Sequence, residues 1–175
     1  MAALVVIIGP IASGKSTVAA GVAQRLRDQG RRFALVDLDE VVAMAGGFVE
    51  LSPADFGQTQ LVCGQLAGTW LRAGWDVIAH GPFFQSEEEA ALLHAVPEGT
   101  ATHRIRLDST FETALERVAR DPTRDQSKDP GFLRQTYDCV ELLLPAMRQP
   151  DMVFDTTTTG WQQIVDDLAA ALLRP

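Results

Sequence analysis

The sequence predicts an α/β three-layer sandwich, with a parallel sheet in the middle and helices on both faces. Three observations carry that expectation. Short β-branched runs alternate with amphipathic stretches along the chain, the order that builds a parallel sheet covered on both sides. The first run, ALVVII from Ala3 to Ile8, is apolar throughout, as a strand buried on both faces must be. Directly after it, GPIASGKST from Gly9 to Thr17 fits the P-loop template G-x-x-x-x-G-K-[ST] and leads into a helical pattern.

Each position of that loop has a physical job. Gly9 and Gly14 permit turns where a Cβ would clash. Between them Pro10, Ile11, Ala12 and Ser13 wrap a phosphate group, with backbone N–H groups turned inward. Lys15 is a mobile cation for the β- and γ-phosphates, and the Ser16 hydroxyl is a ligand for Mg²⁺. Thr17 lies in the first turn of the following helix, whose positive end adds to the same site. That helix buries Val18, Ala19, Val22, Ala23 and Leu26, and Gly30 stops it.

The remaining elements follow in order. Phe33 to Asp37 is strand two, closing on Asp37-Leu38-Asp39-Glu40. Val41 to Leu51 is a short connecting segment with a joint at Gly46-Gly47. Ser52-Pro53-Ala54-Asp55 caps a helix whose apolar face is Phe56, Thr59, Cys63, Leu66 and Trp70. Gly57, Gly64 and Gly68 inside it signal close packing or room for a ligand. Asp76 to His80 is strand three, and Ser86 to Glu89 a capping box opening a short helix. His103 to Leu107 is strand four, with Arg104 and Arg106 on one face. A second capping box, Ser109 to Glu112, opens a helix with Phe111, Ala114, Leu115 and Val118 on its buried stripe. Arg120 to Gly131 is charged, carries two prolines and has no apolar anchor, so it reads as a mobile lid. Asp129-Pro130 starts another helix, which Pro145 ends or kinks. Met152 to Phe154 is strand five, and Trp161, Ile164, Val165, Leu168 and Leu172 form a terminal amphipathic helix.

At 175 residues, with no second-domain linker, residues 1–175 are expected to form one domain. The net charge of −8 weighs against nucleic acid as the main substrate. No apolar run reaches membrane-span length, and the first strand lacks the basic flank of a signal peptide. Cys63 and Cys139 fall on apolar helical faces and read as buried free thiols, consistent with a reducing cytoplasm.

In such a sheet ligands sit beyond the carboxyl ends of the strands, so the residues there are the candidates. Strand two supplies the sharpest pair, Asp37 and Asp39. One can hold Mg²⁺ or its water while the other accepts the proton of an attacking hydroxyl; helix capping is the competing role. Arg120 and Arg124 in the lid suit a γ-phosphate, with surface ion pairing the alternative and Arg117 a weaker third choice. His80 reads as a substrate contact or a satisfied polar residue. Asp108 reads as structural, and Thr156 as part of a nucleotide-base pocket or a threonine turn. Phe48, Phe56, Phe83 and Phe84 line an acceptor pocket or belong to the core.

GPIASGKS, the VDLD strand end, the arginine-containing lid and the closing FDTT together resemble the small P-loop kinases of metabolites. These include shikimate kinase, gluconate kinase, adenylylsulfate kinase and chloramphenicol phosphotransferase. The resemblance implies a five-stranded parallel sheet ordered 2-3-1-4-5, a lid over about 120–131 and a helical acceptor-binding segment over about 41–73. By likeness to the Asp-x-Asp of shikimate kinase, Asp37 lies near the metal and Asp39 meets the acceptor hydroxyl. Strand three departs from the pattern: HGPFF replaces a glycine-rich substrate loop, and no Asp ends that strand. The expected activity is ATP- and Mg²⁺-dependent phosphoryl transfer to a hydroxyl of a small molecule, by a monomer or homodimer. A polynucleotide kinase and an ATP-binding module without transfer are the alternatives.

Overall fold

The structure is a computed structural model that describes residues 2–48, 50–123 and 126–173. Its strands are β1 (Ala3–Ile8), β2 (Phe33–Asp37), β3 (Asp76–His80), β4 (Ala101–Asp108) and β5 (Met152–Asp155). The α-helices are α1 (Lys15–Arg27), α2 (Leu38–Met44), α3 (Pro53–Arg72), α4 (Ser86–Leu93), α5 (Phe111–Arg120), α6 (Pro130–Leu143) and α7 (Trp161–Leu172). The sheet is five-stranded, parallel at every pairing, and ordered β2-β3-β1-β4-β5 as expected.

Side-chain alternation along β1 explains the layers. Leu4, Val6 and Ile8 point into one core, shared with α2, α3 and α4. Val5 and Ile7 point into the other, where α1 and α7 lie. Both sets are buried, which is why this strand carries no polar residue. Each such aliphatic contributes roughly 1.5–3 kcal/mol by burial. Asp37 is level with His80, and His80 with Ile7, so three strand ends open at one height beside the phosphate loop.

Several local expectations shift. Residues 38–44 are helical rather than a plain connection, because Asp37 caps them: its carboxylate accepts the Asp39 N–H at 3.0 Å. Asp39 and Glu40 then sit in the first turn, where the helix dipole favours acids. The Ser86 box moves back by one residue, and the Ser109 box is replaced by a single cap one residue further on. Glu88 accepts the N–H groups of Phe84 and Gln85, which frees Glu89 to pair with Arg104, and Thr110 is the cap of α5.

The inward face of α3 is also rotated from the predicted one. Leu66 and Trp70 are exposed, and Cys63, Gly64, Ala67, Gly68 and Leu71 are buried. A Cβ on Gly64 would stand 2.6 Å from the Leu92 carbonyl oxygen, and one on Gly68 would collide with that of Ala95. The glycines therefore let α3 lie directly on the carboxyl end of α4, and the larger side chains turn outward. Cys63 is buried as expected, whereas Cys139 is exposed on α6.

Candidate active site

The phosphate loop is held open from behind. Gly14 caps α1 with φ 91°, a value that favours glycine, and a Cβ on Gly9 would collide with the Leu107 carbonyl. Ala12 also takes a left-handed conformation, φ 60°, which costs a non-glycine residue roughly 1–2 kcal/mol. Two side chains secure this stretch. Tyr137 donates its hydroxyl to Ile11 O at 3.0 Å, and Arg117 Nη1 donates to Ala12 O at 2.9 Å. Ile11 and Ala12 rest on an apolar cluster of Ala114, Val118, Leu133 and Tyr137. Ser13 N–H donates within the loop to Pro10 O at 3.3 Å; with the Ile11 and Ala12 carbonyls tied outward, the remaining N–H groups of the loop suit an anion. Lys15 Nζ donates to Gly9 O and Pro10 O, both at 2.9 Å, so its charge lies over the loop. Ser13 Oγ is buried there with no hydrogen-bond partner among the described residues.

A cavity of about 970 Å³ opens on this loop. Gly9 through Val18 line it, together with Asp39, Phe48, Pro82 and Phe84, and with Arg117, Thr156, Gly160 and Trp161. Ligand pockets usually fall at roughly 300–1,000 Å³, so the space suits a nucleotide with a small second molecule. Arg117 joins two walls, since besides Ala12 it donates to Thr156 Oγ1 at 3.0 Å and Thr156 O at 2.7 Å. Thr156 is fixed in turn by bonds from its N–H and hydroxyl to Asp108 O.

The acidic pair divides between two hollows. Asp39 faces the large cavity, while Asp37 lines a neighbouring one of about 410 Å³ with Ser16, Glu40 and His80; Ser16 borders both. Burial, foremost, raises the Asp37 pKa to about 6; the hydrogen bond from the Asp39 N–H opposes it, the charges of Asp39 and Glu40 add to it, and Lys15 opposes it less. His80 Nδ1 lies 3.5 Å from Asp37 Oδ1. Burial and then Lys15 lower the His80 pKa to about 4, so it is neutral at physiological pH. A hydroxyl and a poorly compensated carboxylate at one edge of the loop are a fitting donor set for Mg²⁺, which keeps several waters and needs only one or two protein oxygens. No cluster of three or more His, Cys, Asp or Glu able to hold a metal occurs among the described residues.

Other sequence candidates land elsewhere. Arg120 is largely exposed and pairs with Glu116 at 3.4 Å. Arg124 lies outside the described residues. Asp108 binds Arg106 through both oxygens, a structural role. Phe83 and Phe84 are buried, while Phe48 is half exposed and touches Phe56. Sequence reasoning did not single out Tyr137, and it placed Trp161 on the apolar face of the terminal helix. Tyr137 is the chain's only tyrosine, and Trp161 starts a helix just beyond a strand-end loop; those were the available signals.

A P-loop fold and this site define the class. The sequence family described as an AAA domain matches residues 4–129, and the chain belongs to it. No curated protein matches the sequence. Solved structures with the same fold include a sugar kinase from Janibacter sp. HTCC2649, 20% identical with a TM-score of 0.71, over 98% of this chain and 95% of that one. Another is the Mycobacterium tuberculosis APS kinase in complex with AMPPNP and APS, 17% identical with a TM-score of 0.72, over 99% and 98%. A third is shikimate kinase from Acinetobacter baumannii in complex with shikimate, 20% identical with a TM-score of 0.66, over 99% and 94%. The chain thus has a P-loop kinase-like fold, as the sequence resemblance implied. Among the described residues no helix is long and apolar enough to cross a membrane.

Proposed function

We propose that this protein is an ATP-dependent phosphotransferase that moves the γ-phosphoryl group to a hydroxyl of a small molecule. One observation carries the reading: a single cavity holds both the phosphate loop and the carboxylate of Asp39. A bound triphosphate would run from Thr156 and Trp161 along Gly9 to Thr17. Its γ-phosphate would then stand between Lys15 and the space in front of Asp39. Asp39 is the general base that takes the acceptor's proton. Lys15 holds negative charge on the transferring group, with Arg120 and Arg124 brought in by the lid. Ser16 and Asp37 would hold Mg²⁺, which when bound supplies charge neutralisation at the phosphates. The half-buried, electrostatically strained Asp37 carboxylate supports that assignment. The net charge of −8 disfavours a polynucleotide acceptor, and two free thiols fit a cytoplasmic protein. The protein works as a monomer or homodimer.

Acceptor-dependent ADP release, with ATP affinity measured in parallel, tests this. Asp39→Asn should bind ATP within about threefold of wild type and lose transfer by about 10²–10⁴-fold, the range expected when a general base is removed. Full transfer by Asp39→Asn would reject the base. ATP binding with no ADP release on any hydroxyl acceptor would favour a binding module.

A further inference from the structure

The lining of the large cavity is of two kinds. Among the described lining residues the basic ones are Lys15 and Arg117, and both bind the phosphate loop: Lys15 on Gly9 O and Pro10 O, Arg117 on Ala12 O and Thr156. Asp39, Phe48, Pro82 and Phe84 line the same cavity, and none of these four offers an anion a cation. An anion placed beside Asp39 meets a like charge, and like charges at short range repel.

The walls are built rather than incidental. The Phe48 ring is half exposed and is backed by Phe56, ring centres 5.7 Å apart. The Phe84 N–H donates to Glu88 at 2.8 Å, which fixes the strand-three loop.

Resting on the phosphotransferase reading, we infer that the acceptor is an uncharged hydroxyl compound with an aromatic or similarly apolar body. Its ring lies beside Phe48 and Phe84, and its reacting hydroxyl meets Asp39. In the transfer step the hydroxyl oxygen bonds to the γ-phosphorus and the bond to the β-γ bridging oxygen breaks. The proton goes to Asp39, and ADP leaves.

Matched pairs test this: 3-phenylpropane-1,2-diol against 3-phenyllactate, and uridine against uridine-5′-carboxylate. Binding is measured by calorimetry on protein saturated with a non-hydrolysable ATP analogue and Mg²⁺; ADP release is measured separately with ATP. The neutral member of a pair is expected to bind at least tenfold more tightly than its carboxylate. Phe48→Ala should weaken that binding about tenfold while nucleotide affinity holds; Phe48 is half exposed, so the variant should fold. Equal or tighter binding of the carboxylates overturns the inference, as does failure of both neutral compounds to bind. Tight neutral binding without ADP release leaves the acceptor class standing and rejects the phosphotransferase reading instead.

Discussion

Asp37 and Asp39 are two residues apart in sequence and face different hollows, because one is a helix cap and the other lies a half-turn further on. Asp37 has a raised pKa, about 6 against an ordinary 3.8, with burial the main cause. The folded state therefore holds a proton that the unfolded chain releases first. Stability linked to this group is complete below about pH 4 and is lost as pH rises through 6. A rise from 3.8 to about 6 corresponds to about 3 kcal/mol. With the side chain 23% exposed, solvent screening reduces that to about 1–2 kcal/mol. Asp37→Asn keeps an oxygen to cap Asp39 and removes the charge. Its melting temperature without ligand should exceed that of wild type by about 2–6 °C at pH 8, with the gap closing between pH 6 and pH 4. Thermal melts across that range check it, and a variant that is less stable at pH 8 would show that Asp37 is compensated. The residue types at this site were legible in the sequence, since a strand end with two acids is visible in VDLD. Their division was not, because it depends on which peptide turns first into α2.

At the scale of elements, the central β1 was legible because a strand buried on both sides must be apolar at every position. The predicted β1, β2 and β3 boundaries coincide with the observed ones. Helical faces were less so. The stripe of α3 was assigned by hydrophobicity, yet closeness of approach to α4 decides it, and Gly64 and Gly68 permit that approach. The three interior glycines of α3 consequently separate. Gly68→Ala drives a methyl into the Ala95 carbonyl and should destabilise the protein by about 1–3 kcal/mol, the usual cost of overpacking. Gly57 faces open space, so Gly57→Ala should stabilise it by up to about 1 kcal/mol through helix propensity. Urea unfolding of both variants reads the signs, and a neutral Gly68→Ala would refute the close approach. The terminal helix shows the same limit: Trp161 fits an amphipathic stripe by spacing, but its place at the first turn leaves it at the cavity instead of in the core.

Across the whole molecule, sheet order is what sequence periodicity carries least, since a buried strand reads alike in the centre or beside it; here the resemblance supplied it. The pieces that bound the cavity come from far apart in the chain. The loop after β1 rests on the apolar cluster of α5 and α6, Tyr137 ties α6 to Ile11, and Arg117 ties α5 to the loop after β5. That cluster is small and separate from the two main cores, so the loop and its backing helices have less burial to hold them. A triphosphate on the loop's N–H groups would strengthen the same unit, and ligand binding to the folded state alone raises stability by mass action. At one hundred times the dissociation constant the gain is about 2.7 kcal/mol, or about 5–10 °C for a chain of this size. Saturating ATP with Mg²⁺ should raise the melting temperature by that amount and alter the fluorescence of Trp161 at the cavity wall. Trp70 and Trp75, whose ring centres are 5.1 Å apart, do not line the cavity and should stay silent. Lys15→Ala should lose most of the thermal shift, and Trp161→Phe should keep the shift but lose the optical signal. An unchanged melting temperature in wild type would mean that the loop does not hold a triphosphate.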